Sequence, residues 1–145
     1  MTTSTPRANG RTIGLAHYAS RALLEQVLSR TGTTFNESVA LRALSDNGGT
    51  AARAWLVDRL TGALKIDESA ADRTVTGMTD AGLLEPAGGQ VTLTESGREL
   101  FEGVRKAGDE IAARLYAGLA DEDLETAGRV LTLVTERADA ELAAL

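Results

Sequence analysis

The chain has 145 residues, a formal charge of −6, 43% hydrophobic but only 3% aromatic residues, and no cysteine. Structural disulfides, thiolate zinc sites and cysteine redox chemistry are excluded, and a core must be assembled from Leu, Val and Ala. No window reaches the length of an apolar span, and MTTSTPRANG lacks the apolar heart of a signal peptide, so a cytoplasmic protein without membrane contact is expected.

The length suits one domain or a tightly fused pair, and a composition rich in Ala and Leu but poor in Pro favours helix. Arg far outnumbers Lys, as in proteins of GC-rich bacterial genes. Charge is unevenly distributed. Residues 1–66 hold eight bases against four acids, a net of +4, which leaves −10 for the remainder. Such an acidic total argues against indiscriminate binding of polyanions, but allows a local basic face.

Residues 1–10 are polar and contain Pro6 and Gly10, the pattern of a disordered arm. From Arg11 to Arg30, Ile13, Ala16, Leu23, Leu24, Val27 and Leu28 recur at helical spacing, and Thr31-Gly32 ends the run. A second helix starts at Thr34, where Thr34 and Glu37 have the spacing of a capping box, and stops at Asn47-Gly48-Gly49. The third spans about Ala51 to Leu64, with Leu56, Leu60 and Leu64 on one stripe. Lys65-Ile66 makes a turn, and Asp67 is a good N-cap for a fourth helix that ends at Gly82.

At about 100° per residue, Ala71, Val75 and Met78 share one face of that fourth helix, and Ser69, Arg73, Thr76 and Asp80 lie opposite. Leu83 to Pro86 and Gln90 to Leu93 then read as two short strands, joined through Gly88-Gly89, a pair suited to a hairpin turn with positive φ. Thr94 caps a fifth helix from Glu95 to about Leu119, and Asp121 caps a sixth carrying Leu124, Val130, Leu131, Val134 and Leu142. The last two stripes are too broad for the compact middle segment to cover, so a homodimer with intertwined chain ends is expected.

The order helix, turn, helix, hairpin outlines a winged helix-turn-helix. With its flanking helices the chain resembles the MarR family of bacterial transcription regulators. Leu60, Leu64, Ile66, Ala71, Val75 and Met78 match the buried positions of the motif. Asp80-Ala81-Gly82-Leu83-Leu84 matches the turn into the wing, and Leu93-Thr94-Glu95-Ser96-Gly97 matches the return into the long dimer helix. Leu119, Asp121-Glu122 and Leu124 match the opening of the last helix.

The resemblance implies a mainly α fold with a two-stranded wing. It divides the chain into a dimerisation helix over 11–33, a winged helix-turn-helix over 34–96 and dimerisation helices over 97–145. It implies a homodimer on double-stranded DNA with a pseudo-palindromic operator, acting as a repressor and released by a small organic effector. Two departures stand out. The wing tip, Ala87-Gly88-Gly89-Gln90, carries no charge, and Glu85 stands where relatives often have a base. Asp67, Glu68, Asp72 and Asp80 also outnumber Arg73 on the reading helix, which weakens the phosphate attraction that dominates affinity.

Arg73 is the candidate for a base contact, because an exposed guanidinium can reach O6 and N7 of guanine; the alternative is a surface pair with Glu68 or Asp80. Ser69 and Thr76 flank it. Lys65, Arg53 and Arg59 are candidates for the DNA backbone, as are the N–H groups of Gly88 and Gly89 at the wing. His17, Ser20 and Arg21 on the first helix are candidates for an effector pocket that recognises a carboxylate or phenol, with Trp55 as its wall; His17 in a dimer interface and Trp55 in the core are the alternatives. One histidine and no cysteine cannot assemble a metal cluster, and no Gly-rich phosphate loop follows a strand. Neither an enzyme nor a cofactor is therefore expected. A winged-helix dimerisation or protein-interaction module with weak or no DNA binding remains the rival.

Overall fold

The computed structural model describes residues 4–145. Its elements are α1 (Gly10–Ser29), α2 (Phe35–Asp46), β1 (Thr50–Ala52), α3 (Arg53–Leu64), α4 (Glu68–Asp80), β2 (Leu84–Ala87), β3 (Gln90–Leu93), α5 (Glu95–Tyr116) and α6 (Asp121–Ala143). Of the arm expected over residues 1–10, residues 1–3 lie outside the described residues. Ser4 to Ala8 form neither helix nor strand, and Asn9 caps α1 by exchanging hydrogen bonds with Thr12.

The chain falls into two compact units, one running through Ile111 and the other Ala112–Leu145. The first holds the core. Ala40, Leu41 and Leu44 of α2, Leu56 and Leu60 of α3, Ala71, Val75 and Met78 of α4, and Leu84, Val91 and Leu93 of the sheet are all buried. These are the Leu, Val and Ala side chains that a nearly ring-free composition leaves for the purpose; Phe101 of α5 is the one ring that joins them.

Local signals set the helix boundaries. Thr34 Oγ1 accepts from Glu37 N–H at 3.1 Å and Glu37 Oε1 accepts from Thr34 N–H at 3.0 Å, completing the expected capping box. Asp67 Oδ1 accepts from Ala70 N–H at 2.7 Å to start α4. Lys65 closes α3 at φ 57, the left-handed conformation usually given to glycine, and its Nζ donates to Gly62 O at 2.6 Å.

Three expectations need correction. The sheet has three strands, ordered β1-β3-β2, instead of two. Thr50 to Ala52 pair antiparallel with Thr92 to Gln90, and α3 begins only at Arg53. Three residues are too few to show strand alternation, and Ala51-Ala52 favours helix until the open edge of β3 recruits it. Second, Asp121 does not cap α6. Ala120 occupies that position without a side-chain bond, and Asp121, Glu122 and Asp123 fill the first turn, where acids oppose the helix dipole favourably. Third, α5 stops at Tyr116, short of Leu119, where the chain turns through Gly118 at φ 76.

β2 and β3 pair from Leu84↔Leu93 to Ala87↔Gln90. Gly88 (φ 57) and Gly89 (φ 81) both take positive φ, as a two-residue turn matched to strand twist requires. Pro86 is tolerated because β2 lies at the sheet's edge. In the second unit, α6 buries none of its residues, and Leu131, Leu133, Val134 and Leu142 are exposed. Among the described residues no helix is long and apolar enough to cross a membrane.

Candidate nucleic-acid interface

α4 is amphipathic in the strict sense. Ala71, Val75 and Met78 are 0% exposed, whereas Ser69, Arg73, Thr76 and Asp80 face solvent. The periodicity predicts this division, because residues separated by three, four and seven positions return to one side of a helix. The exposed side forms an open depression of about 660 Å³ lined by Glu68, Ser69, Asp72, Arg73, Thr76 and Asp80 with Gly77.

Arg73 Nη1 donates to Ser69 Oγ at 2.8 Å, one turn back along the same face. The alternative pairing with Glu68 or Asp80 is not formed among the described residues. Glu68 is five positions away, rotated off the Arg73 face, and Asp80 is seven, two turns along. The guanidinium therefore keeps most of its five donors for an outside partner. Asp67 is occupied as the N-cap, with one carboxylate oxygen held by the Ala70 N–H.

Arg53 does not project freely. Its guanidinium turns towards α4, donating to Thr76 Oγ1 at 3.1 Å and Asp72 O at 3.3 Å, with Asp72 Oδ1 at 3.6 Å. Its backbone N–H donates to Gly89 O at 2.9 Å. Arg59 is exposed on α3, and the Lys65 ammonium reaches back to the end of its own helix. Gly88 and Gly89 are exposed at the wing tip, as are Glu85 and Gln90.

The candidate effector residues are not gathered into one cleft. Arg21 lines a depression of about 410 Å³ with Glu25, Ser29, Thr33, Thr34, Phe35 and Asn36, between α1 and the start of α2. It stacks over the Phe35 ring at 4.1 Å and binds Glu25 at 3.1 Å. His17 and Ser20 are exposed earlier on α1 and do not line that depression; the His17 ring centroid stands 6.0 Å from that of Tyr18. Trp55 is 38% exposed on α3, which corrects the core alternative: it lies about 100° round the helix from Leu56, outside the buried stripe.

Two features escaped sequence reasoning. The Arg53–Asp72 contact joins residues 19 apart on different helices, and no local periodicity announces it. The Phe35 platform beneath Arg21 likewise joins two helices.

The fold recurs in solved structures. Ligand-free NadR superposes with a TM-score of 0.77 at 20% identity, over 92% of this chain and 98% of that one. BpsR of Bordetella bronchiseptica gives 0.71 at 20% identity, over 92% and 98%. A Mycobacterium tuberculosis MarR family protein in complex with DNA gives 0.66 at 23%, over 89% and 98%. The chain has the MarR-type fold. No protein-family model matches the sequence and no curated protein matches it, so the likeness is carried by structure. In the MarR-type fold α3 and α4 are the helix-turn-helix, and β2 and β3 are the wing.

Proposed function

We propose that this chain is a homodimeric, sequence-specific DNA-binding transcription regulator of MarR type, acting as a repressor. One observation carries the reading: Arg73, Ser69 and Thr76 stand together on the solvent face of a helix whose other face is sealed into the core, beside an exposed hairpin. Within the dimer, each α4 enters a major groove, with half-sites about one helical turn, roughly 34 Å, apart. Arg73 reads guanine, Ser69 and Thr76 contact bases or phosphate, and Lys65, Arg59 and the backbone of Gly88 and Gly89 hold register. The M. tuberculosis structure, solved on DNA, supports this reading.

An effector is part of the proposal. DNA binding by BpsR is regulated by 6-hydroxynicotinic acid, and NadR has been solved with 4-hydroxyphenylacetate. His17, Ser20, Arg21 and Trp55 are the residues proposed to meet such an organic acid in the dimer. Its differential affinity for two conformations sets the DNA-bound fraction.

The acids of α4 and the uncharged wing favour a second reading, a winged-helix interaction module that does not bind DNA tightly. Retardation of the gene's own upstream DNA at two salt concentrations separates them. Specific binding with a shallow salt dependence supports the regulator, and absence of binding at micromolar protein supports the module.

A further inference from the structure

We propose that Arg53 is a positioning residue that ties the wing turn to the recognition helix and masks the charge of Asp72, rather than a ligand of the DNA backbone. The inference rests on the reading of α4 as the DNA-reading helix.

The geometry is specific. Arg53 opens α3 directly after β1, so its main chain lies beside the hairpin, and its N–H donates to Gly89 O at 2.9 Å. Its side chain extends the other way, to Thr76 Oγ1 at 3.1 Å, Asp72 O at 3.3 Å and Asp72 Oδ1 at 3.6 Å. One residue thus grips the turn of the wing and two successive turns of α4. Both groups of the ion pair are partly exposed, with side chains at 37% and 47%, so the pair is felt at the surface that approaches phosphate. A bare Asp72 carboxylate there would repel the phosphate chain, and the guanidinium beside it cancels that field at close range.

The contact also sets what Thr76 can offer. A hydroxyl that accepts from Arg53 keeps its own proton to give. Thr76 is thereby biased to donate, towards guanine O6 or N7, thymine O4 or a phosphate oxygen, and away from the amino groups of adenine and cytosine. Ser69, which accepts from Arg73, is biased in the same sense.

The test is a double-mutant cycle of R53Q, D72N and R53Q/D72N, read on a DNA fragment selected from a random pool, together with amide exchange on the DNA-free proteins. R53Q should weaken binding at least about tenfold when the Asp72 carboxylate is present, but less than about threefold in the D72N background, because its effect passes through that carboxylate. Equal losses in both backgrounds would mean that Arg53 does not act through the Asp72 carboxylate, and would overturn the masking role. Without DNA, R53Q should speed exchange around Asp72–Thr76 of α4, where the guanidinium is held, and from there loosen the wing turn that the Arg53 main chain holds; unchanged exchange around Asp72–Thr76 overturns the tie. Wild-type protein that selects no fragment defeats the regulator reading alone, and the exchange measurement still decides whether Arg53 joins the two elements.

Discussion

Gly97 is pressed so closely against Leu83 that a Cβ on it would overlap the Leu83 carbonyl oxygen, with Leu83 C at 3.2 Å and Leu93 Cδ2 at 3.3 Å. The contact belongs to a clasp between the turn after α4 and the start of α5. Thr94 N–H donates to Leu83 O at 3.0 Å, Thr94 Oγ1–H donates to Gly82 O at 2.6 Å, and Gly97 N–H donates to Thr94 Oγ1 at 3.1 Å. The obstacle to a side chain is backbone, which cannot swing aside. Gly97→Ala should therefore cost about 2–3 kcal/mol, at the upper end for one added methyl, read from the urea midpoint. A change below about 0.5 kcal/mol would mean that the clasp opens freely.

Thr94 should show graded behaviour at the same place. Its hydroxyl both accepts and donates, so Thr94→Ala removes an N-cap and a bond to a turn carbonyl together. The expected loss is about 1–2 kcal/mol, and Thr94→Ser should recover most of it. Equal stability of the Ala and Ser variants would show that the β-methyl matters and the hydroxyl does not.

The clasp explains why the strings Gly82-Leu83-Leu84 and Leu93-Thr94-Glu95-Ser96-Gly97 carried so much of the resemblance: they are two sides of one set of contacts. Features set within one turn of chain were legible in the same way. The Thr34–Glu37 box, the Asp67 cap, the glycine hairpin and the two faces of α4 each depend on residues at most a few positions apart. Strand β1 was not legible, since its three residues become a strand only by pairing with β3, some 40 positions away. The same applies to Arg53, whose sequence neighbours mark it as a surface base although its partners lie on α4 and the wing. Arg73 was legible as an exposed base, but its bond to Ser69 depends on reach and competition between side chains, which periodicity does not rank.

Arg73→Ala tests the reading helix directly. If the guanidinium takes a guanine edge, its loss should cost about 1–3 kcal/mol of operator binding and relax preference at one base step. Arg73→Lys should not restore that preference, because an ammonium lacks the planar fork. Quantitative retardation over a set of single-base operator variants checks both points. Uniform weakening across the set would reassign Arg73 to a phosphate.

On α5, Arg105 bonds Glu102 and stands 2.8 Å from Asp109 at helical spacing. The hydrogen bond from Arg105 holds the Glu102 carboxyl below its ordinary value, and Glu102 in turn raises Arg105. A carboxyl depressed in the folded state contributes stability that is present above its unfolded pKa and is lost as pH falls through the folded one. Arg105→Ala should therefore lower the melting temperature slightly at neutral pH and not at all in strong acid. A deficit that persists below the carboxylate range would trace to packing of the Arg105 stem. The effect should also shrink in high salt, since all three groups sit at the surface.

The strongest demand on the proposal is that this chain pairs with a copy of itself. α6 exposes Leu131, Leu133, Val134 and Leu142 at 42–53% of their surfaces, and α1 exposes Leu15, Tyr18 and Leu23 at 44–70%. A 23-residue helix with no fully buried residue and most of its apolar side chains exposed has little packing to offset the entropy of ordering it, so an apolar partner must supply the rest. Sedimentation equilibrium should give twice the chain's 15.2 kDa at micromolar protein. Leu131→Glu and Val134→Glu each remove an apolar side chain worth about 1.5–3 kcal/mol on burial and add a charge that dislikes leaving water. Because a twofold interface contains each substitution twice, either variant should shift the equilibrium strongly to monomer and lose operator binding with it. Wild-type protein that sediments at 15.2 kDa would remove the dimer, and with it the paired half-sites.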